Sequence, residues 1–213
     1  NPSFGLIAEG PTDHAVLENI LIGHFDDPDL TIRPLQPLLD STDAAQRQGG
    51  WTQVLSYCQS SFFQGAFEQN DYLIVQIDTD CLHEKPFELN LKQLPEALVK
   101  QVVEKMERLI GESFQADFVD EYRKKILFAI AIDELECWLL PLFYEDQNGS
   151  ATNNCLHKLN AQLAKDKRPP INPNGKHPKY FDQLSRPFCK PKLLKRAAVK
   201  NPSLGIFINT LPT

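Results

Sequence analysis

No stretch of this chain approaches the ~20 consecutive apolar residues of a membrane-spanning helix, so no helical span is expected. No charged-then-apolar segment opens the chain, which begins at Asn1 rather than at Met. No two cysteines are spaced as CxxC. The five that occur (Cys58, Cys81, Cys137, Cys155 and Cys189) are scattered and odd in number. That usage points to reduced thiols in a cytoplasm and away from a disulfide framework or a zinc site. Internal repeats and low-complexity tracts are absent. So is an overall excess of positive charge. The net charge is −6, which argues against a general nucleic-acid binder.

What is present fits a soluble globular protein. Hydrophobic residues make up 42% and charged residues 23%, and 213 residues suffice for one generous domain or a core with an extension. The charge is unevenly spread. Residues 158–200 contain 12 Lys or Arg against Asp166 and Asp182, a net of +10, while the remainder has 10 basic and 26 acidic residues. A basic stretch appended to an acidic body suits a phosphate-contacting arm, and equally a solvated surface that neutralises the body.

Phe4 to Leu21, FGLIAEGPTDHAVLENIL, organises the rest. A short apolar strand ends on Glu9 and turns through Gly10-Pro11. A helix follows, with Thr12 as a plausible N-cap and Val16, Leu17, Ile20 and Leu21 on its apolar face. Leu30 to Leu39 carries two prolines, which demote it to an edge strand. Asp40 to Gly50 is a polar loop. Trp51 to Phe67 reads as one helix, with Val54, Leu55, Cys58, Phe62 and Phe63 turned inward. Tyr72 to Asp80, YLIVQIDTD, is a buried strand ending in Asp78-Thr79-Asp80. Leu91 to Glu112 is a long amphipathic helix whose regular part starts near Pro95. Lys125 to Ile132 is a third apolar strand. It runs into a helix, Asp133 to Leu140, for which Asp133 is the candidate N-cap. Asn153 to Ala164 and Lys190 to Val199 are further helix candidates, and Ser203 to Leu211 is an apolar patch that closes back on the core.

This alternation predicts an α/β fold, a Rossmann-like core with a mostly parallel sheet flanked by helices over residues 1–145. Residues 146–213 form a basic helical and loop extension packed on that core. If the first and DTD strands are parallel neighbours, Glu9, Asp78 and Asp80 converge at one sheet edge. Carboxylates so gathered repel one another unless a cation sits between them, and an oxygen-only set suits Mg²⁺ or Mn²⁺.

Strand, Glu9-Gly10-x-x-Asp13, helix, strand, Asp78-x-Asp80: in that order the pattern resembles the TOPRIM domain of topoisomerases, primases and the overcoming-lysogenization-defect nucleases. Strand followed by Glu136-x-Trp138-Leu139 also looks like a segment of small stand-alone bacterial TOPRIM proteins linked to phage defence. The resemblance implies Asp78 and Asp80 as metal ligands and Glu9 as ligand or general acid/base. It adds Asp13 and Glu136 to the metal shell, with helix capping or solvation as their alternative roles. It also implies one or two Mg²⁺ or Mn²⁺ ions, a nucleic-acid substrate (DNA ahead of RNA) and a partner ATPase. Primases need further domains. None of Tyr57, Tyr72, Tyr122, Tyr144 or Tyr180 is marked as a DNA-attacking nucleophile. Metal-dependent phosphodiester hydrolysis is the simplest remaining activity.

Lys192, Lys195 and Arg196, on one helix, are the candidate nucleic-acid contacts. Lys176 and His177 read as a surface loop, with substrate clamping as the alternative, and His14, close behind Asp13, as structural or exposed. A GT-A-like glycosyltransferase would explain Asp78 and Asp80 but leave Glu9 unused. A haloacid-dehalogenase-like phosphatase wants its DxD near the N-terminus. A TOPRIM-like module that binds nucleic acid or a partner without cutting is the remaining alternative.

Overall fold

A computed structural model describes residues 1–38, 50–115 and 117–213. The expected loop at Asp40 to Gly50 lies outside them except for Gly50. The first strand, β1 (Phe4–Ile7), is buried throughout and leads into α1 (Pro11–Phe25). Gly10, not Thr12, is the N-cap. Pro11 takes the first helical position, where its missing N–H costs nothing and its fixed φ suits the helix. The edge strand β2 (Ile32–Gln36) follows. Next come α2 (Trp51–Cys58) and α3 (Ser61–Ala66), not one continuous helix. The break is at Gln59–Ser60, where the Ser60 hydroxyl donates to the Tyr57 carbonyl and competes with the next helical bond. Phe62, expected inside, is 75% exposed as a result of the new phase.

The central strand β3 (Tyr72–Asp78), α4 (Pro95–Gly111), α5 (Phe118–Tyr122) and β4 (Ile126–Ala131) complete the sheet half of the chain. Then come α6 (Glu136–Leu139), α7 (Cys155–Lys165), α8 (Pro178–Ser185), α9 (Pro191–Lys200) and α10 (Pro202–Thr210). Among the described residues no helix is long and apolar enough to cross a membrane.

The four strands are all parallel, in the order β2-β1-β3-β4. Side chains alternate between two cores, as a pleat requires. Phe4, Leu6, Ile74, Leu127 and Ala129 pack against α1 and α6 to α10, whereas Ile7, Leu73, Val75, Ile77, Phe128 and Ile130 pack against α2 to α5. The fold is thus α/β and Rossmann-like, with helices on both faces.

The C-terminal helices share the first of those cores. Asn19 of α1 donates to the Asp182 carbonyl and to the Ser185 hydroxyl of α8. Trp138 stacks on Phe207 and donates to Ser203 Oγ at 2.8 Å. The disulfide Cys137–Cys155, with Cα atoms 5.0 Å apart, links α6 to α7. It corrects the expectation of five reduced thiols. Cys155 follows Cys137 at a sequence separation of 18, and the packing of α6 on α7 brings together what the sequence spacing hides. Cys58, Cys81 and Cys189 remain free thiols.

Gly23 marks the closest approach of α1 to the C-terminal half. A Cβ there would fall 1.8 Å from the Phe188 carbonyl oxygen, which is backbone and has little room to yield. Gly23→Ala is therefore expected to destabilise the protein by about 1–3 kcal/mol or more, read as a lower denaturant midpoint; an unchanged midpoint would contradict this packing.

Candidate metal centre

The strand order reverses direction between β1 and β3. From β1 the chain moves outward to β2, then crosses back to β3 and on to β4. A crevice opens at such a point beyond the carboxyl ends of the two strands, because their connections leave toward opposite sides. Glu9 sits just past the end of β1, and Asp78 is the last residue of β3.

Gln76 fixes the spacing of these two acids. It is fully buried in an otherwise apolar strand. Its Oε1 accepts from the Glu9 backbone N–H at 3.1 Å, and its Nε2 donates to Asp78 Oδ1 at 2.8 Å. Next to it, Thr79 ties β3 to β4. The Thr79 N–H donates to the Ala131 carbonyl, Thr79 Oγ1 accepts from the Asp133 N–H at 2.8 Å, and the Asp80 N–H donates to the Asp133 carbonyl. Asp133 is consequently held in the left-handed region at φ 66° and is not a helix N-cap. The helix begins only at Glu136. Glu134 accepts the Leu156 N–H at 3.1 Å, at the start of α7.

The acids act on one another strongly. Burial, then Asp13 and Asp80, push Glu9 up to about 8, against hydrogen bonds from Asp78. Burial, then Glu136, push Asp13 up to about 7, opposed by Lys176 and by the Gly10 backbone. Asp78 is held well above the usual carboxylate range by burial and then by Glu9, Asp13, Glu136 and Asp80. Burial and Asp80 also raise Asp133. Glu136 is only 3% exposed and ion-pairs with Lys176. Burial works against the Lys176 ammonium, but Glu136, Glu134 and Asp13 outweigh it and keep the pKa above its ordinary value.

Glu9, Asp13, Asp78, Asp80 and Glu136 therefore share one electrostatic neighbourhood. These are the residues that could hold a metal. Their donors are all oxygen, and among the described residues Lys176 is the ammonium that offsets them, which is the chemistry a hard divalent cation fits. Their spacing is open. Among the described residues the one set of three possible donors whose ligand atoms lie within 4.8 Å of one another is Asp133, Cys137 and Cys155. The two sulfurs of that set are bonded to each other and offer no thiolate.

The basic helix is elsewhere. Lys195 lines a cavity with Gly23 and His24, ten residues along α1 from Asp13, or ~15 Å at the helical rise. Arg196 pairs with Glu145 at 3.1 Å. Lys192 is exposed on the same helix. Lys176, expected as a surface-loop residue with substrate clamping as the alternative, reaches the acids through Glu136. Gln76 was detectable as a polar residue inside an apolar strand. His14 is buried, its Nε2 2.8 Å from the Gln36 carbonyl, and burial pushes it down to about 4, so it stays neutral and braces α1 against β2.

Because Glu9 and Asp13 bind protons more tightly when folded, the stability they contribute is full below ordinary carboxylate values. It is lost as pH rises toward their folded pKa values. In EDTA the melting temperature is expected to fall by at least ~4 °C between about pH 4.5 and about pH 8. Mg²⁺ or Mn²⁺ should reduce that fall, and a melting temperature that rises with pH in EDTA would contradict the assignment. No family model, curated protein or solved structure matches this chain.

Proposed function

We propose that this chain is a divalent-metal-dependent nuclease of TOPRIM type that hydrolyses nucleic-acid phosphodiester bonds. The observation that carries the reading is the meeting of Glu9 and Asp78, from neighbouring parallel strands at the switch point, with Asp13, Asp80 and Glu136 around them. A nucleotide-sugar transferase accounts for Asp78 and Asp80 but gives Glu9, Asp13 and Glu136 no work.

Glu9, Asp13, Asp78, Asp80 and Glu136 would hold one or two Mg²⁺ or Mn²⁺ ions. The metal supplies Lewis acidity and a bound water of lowered pKa. The chain's own groups do the rest. Gln76 orients Asp78 and spaces it from Glu9. Lys176 brings a positive charge to the acids, where it can stabilise negative charge building on the phosphoryl oxygens. Without a cation Glu9 and Asp13 are raised to about 8 and about 7 and hold protons near neutrality; on binding a cation they would release those protons and stay ionised as its ligands. DNA is the substrate favoured over RNA by the resemblance. A partner ATPase, a role in defence against phage and a cytoplasmic location belong to the same reading.

Asp78→Asn and Glu9→Gln are each expected to lower Mg²⁺- or Mn²⁺-dependent DNA cleavage by at least about 100-fold while circular dichroism stays native. Lys176→Gln should lower the single-turnover rate more than it weakens binding. Cleavage at the wild-type rate in either acid variant would overturn the assignment. Salt-dependent DNA binding with no cleavage in either metal would favour a non-catalytic binding module instead.

A further inference from the structure

The nuclease reading needs a surface that carries the substrate backbone to the acids, and α9 is poorly placed for it. Its Arg196 and Lys200 are both engaged by Glu145, and Lys195 stands at the far end of α1. Lys192 and Lys195 of α9 are exposed and form no ion pair among the described residues, but the segment between α7 and α8 differs in reaching the acids directly, through Lys176 on Glu136. Residues 158–179 hold six Lys or Arg against the single acid Asp166. Lys165, Lys167 and Lys179 are exposed and form no ion pair among the described residues.

The segment is also firmly shaped. Asn160 holds Ile171 from both sides, donating to its carbonyl at 2.9 Å and accepting its N–H at 2.7 Å. The Tyr180 hydroxyl donates to the Pro169 carbonyl at 2.6 Å. Lys176 anchors the loop on Glu136 at the acid centre itself. Lys179 lies in the first turn of α8, which has no acidic residue, although the helix dipole disfavours a cation there. At the other end, α7 starts where Leu156 donates to Glu134. It carries Lys165 nine residues further, ~14 Å along the helix or about four nucleotide steps of a stacked strand.

We propose that loop 166–177, with Lys165 at its entry and Lys179 at its exit, is the track that binds the phosphodiester backbone and leads it to the acid centre. The proposal rests on the nuclease reading. It replaces α9 as the phosphate-contacting surface: cations spaced along a pinned loop contact successive phosphates without reading sequence, and binding through them releases counterions and so depends on salt.

The test uses the full chain carrying Asp78→Asn, in Mg²⁺, so that binding is measured without cleavage. Fluorescence anisotropy with a labelled DNA duplex and with its single strand gives the affinity across a salt series. Adding Lys165→Gln, Lys167→Gln and Lys179→Gln together is expected to weaken binding by at least about tenfold. The slope of log affinity against log salt should shrink by about 0.9 per lost contact on duplex and about 0.7 on single strand. Adding Lys192→Gln and Lys195→Gln instead should leave the slope unchanged. If the second set flattens the slope and the first does not, the track is wrong, and the nuclease reading survives as long as the unsubstituted chain still cleaves. If the unsubstituted chain cleaves neither form in Mg²⁺ or Mn²⁺, the nuclease reading fails and the track falls with it.

Discussion

Negative charge gathered at the ends of β1 and β3 is the condition that the surrounding structure has to accommodate. Five carboxyl groups act on one another there, Glu136 buried, Glu9, Asp13 and Asp78 half-buried and Asp80 exposed, and among the described residues Lys176 is the cation that pairs with them. A fold selected for stability alone has no reason to build this. Asp78 alone, last in a central strand and aimed among Glu9, Asp13, Glu136 and Asp80, is held far above its ordinary pKa. An arrangement that disfavours its own ionised state is one in which a bound cation recovers the cost.

The rest of the architecture positions that charge. Parallel strands in the order β2-β1-β3-β4 bring the carboxyl ends of β1 and β3 side by side. Gln76 bridges them, and Thr79 extends the tie to β4, so three strand ends form one frame. The first turn of α1 carries Asp13, the first turn of α7 donates to Glu134, and the loop before α8 brings Lys176 to Glu136. The Cys137–Cys155 bond joins the Glu136 helix to α7, whose outgoing loop returns Lys176 to Glu136. The C-terminal half is therefore part of the centre as well as a cover for one face of the sheet.

Much of this was legible in the sequence because strands and acids announce themselves locally. The apolar runs at Phe4, Tyr72 and Ile126, each closed by a carboxylate, located three strands and their tips. The prolines of β2 located the edge. What escaped depends on contacts between distant parts of the chain. The basic loop around Lys176 allowed a clamping role, but its partner Glu136 was not legible, because the loop is shaped by contacts of Asn160 and Tyr180 before it meets the acid. Cys137 and Cys155 show no spacing motif, and the packing of α6 on α7 pairs them. Asp133 looked like a cap because it precedes a helix, but Thr79 claims its N–H from another strand. Local propensity yielded there to a tertiary hydrogen bond. Composition located the basic helix, and the structure sets its Lys195 beside Gly23 and His24 of α1 and pairs its Arg196 with Glu145.

The most direct measurement is a crystal grown or soaked in Mn²⁺ and examined by anomalous scattering. At least one Mn²⁺ is expected within coordination distance of Asp78 together with Glu9 or Asp80. Crystals that take up Mn²⁺ only elsewhere on the surface, or leave these carboxylates without an ion at saturating Mn²⁺, would contradict that expectation.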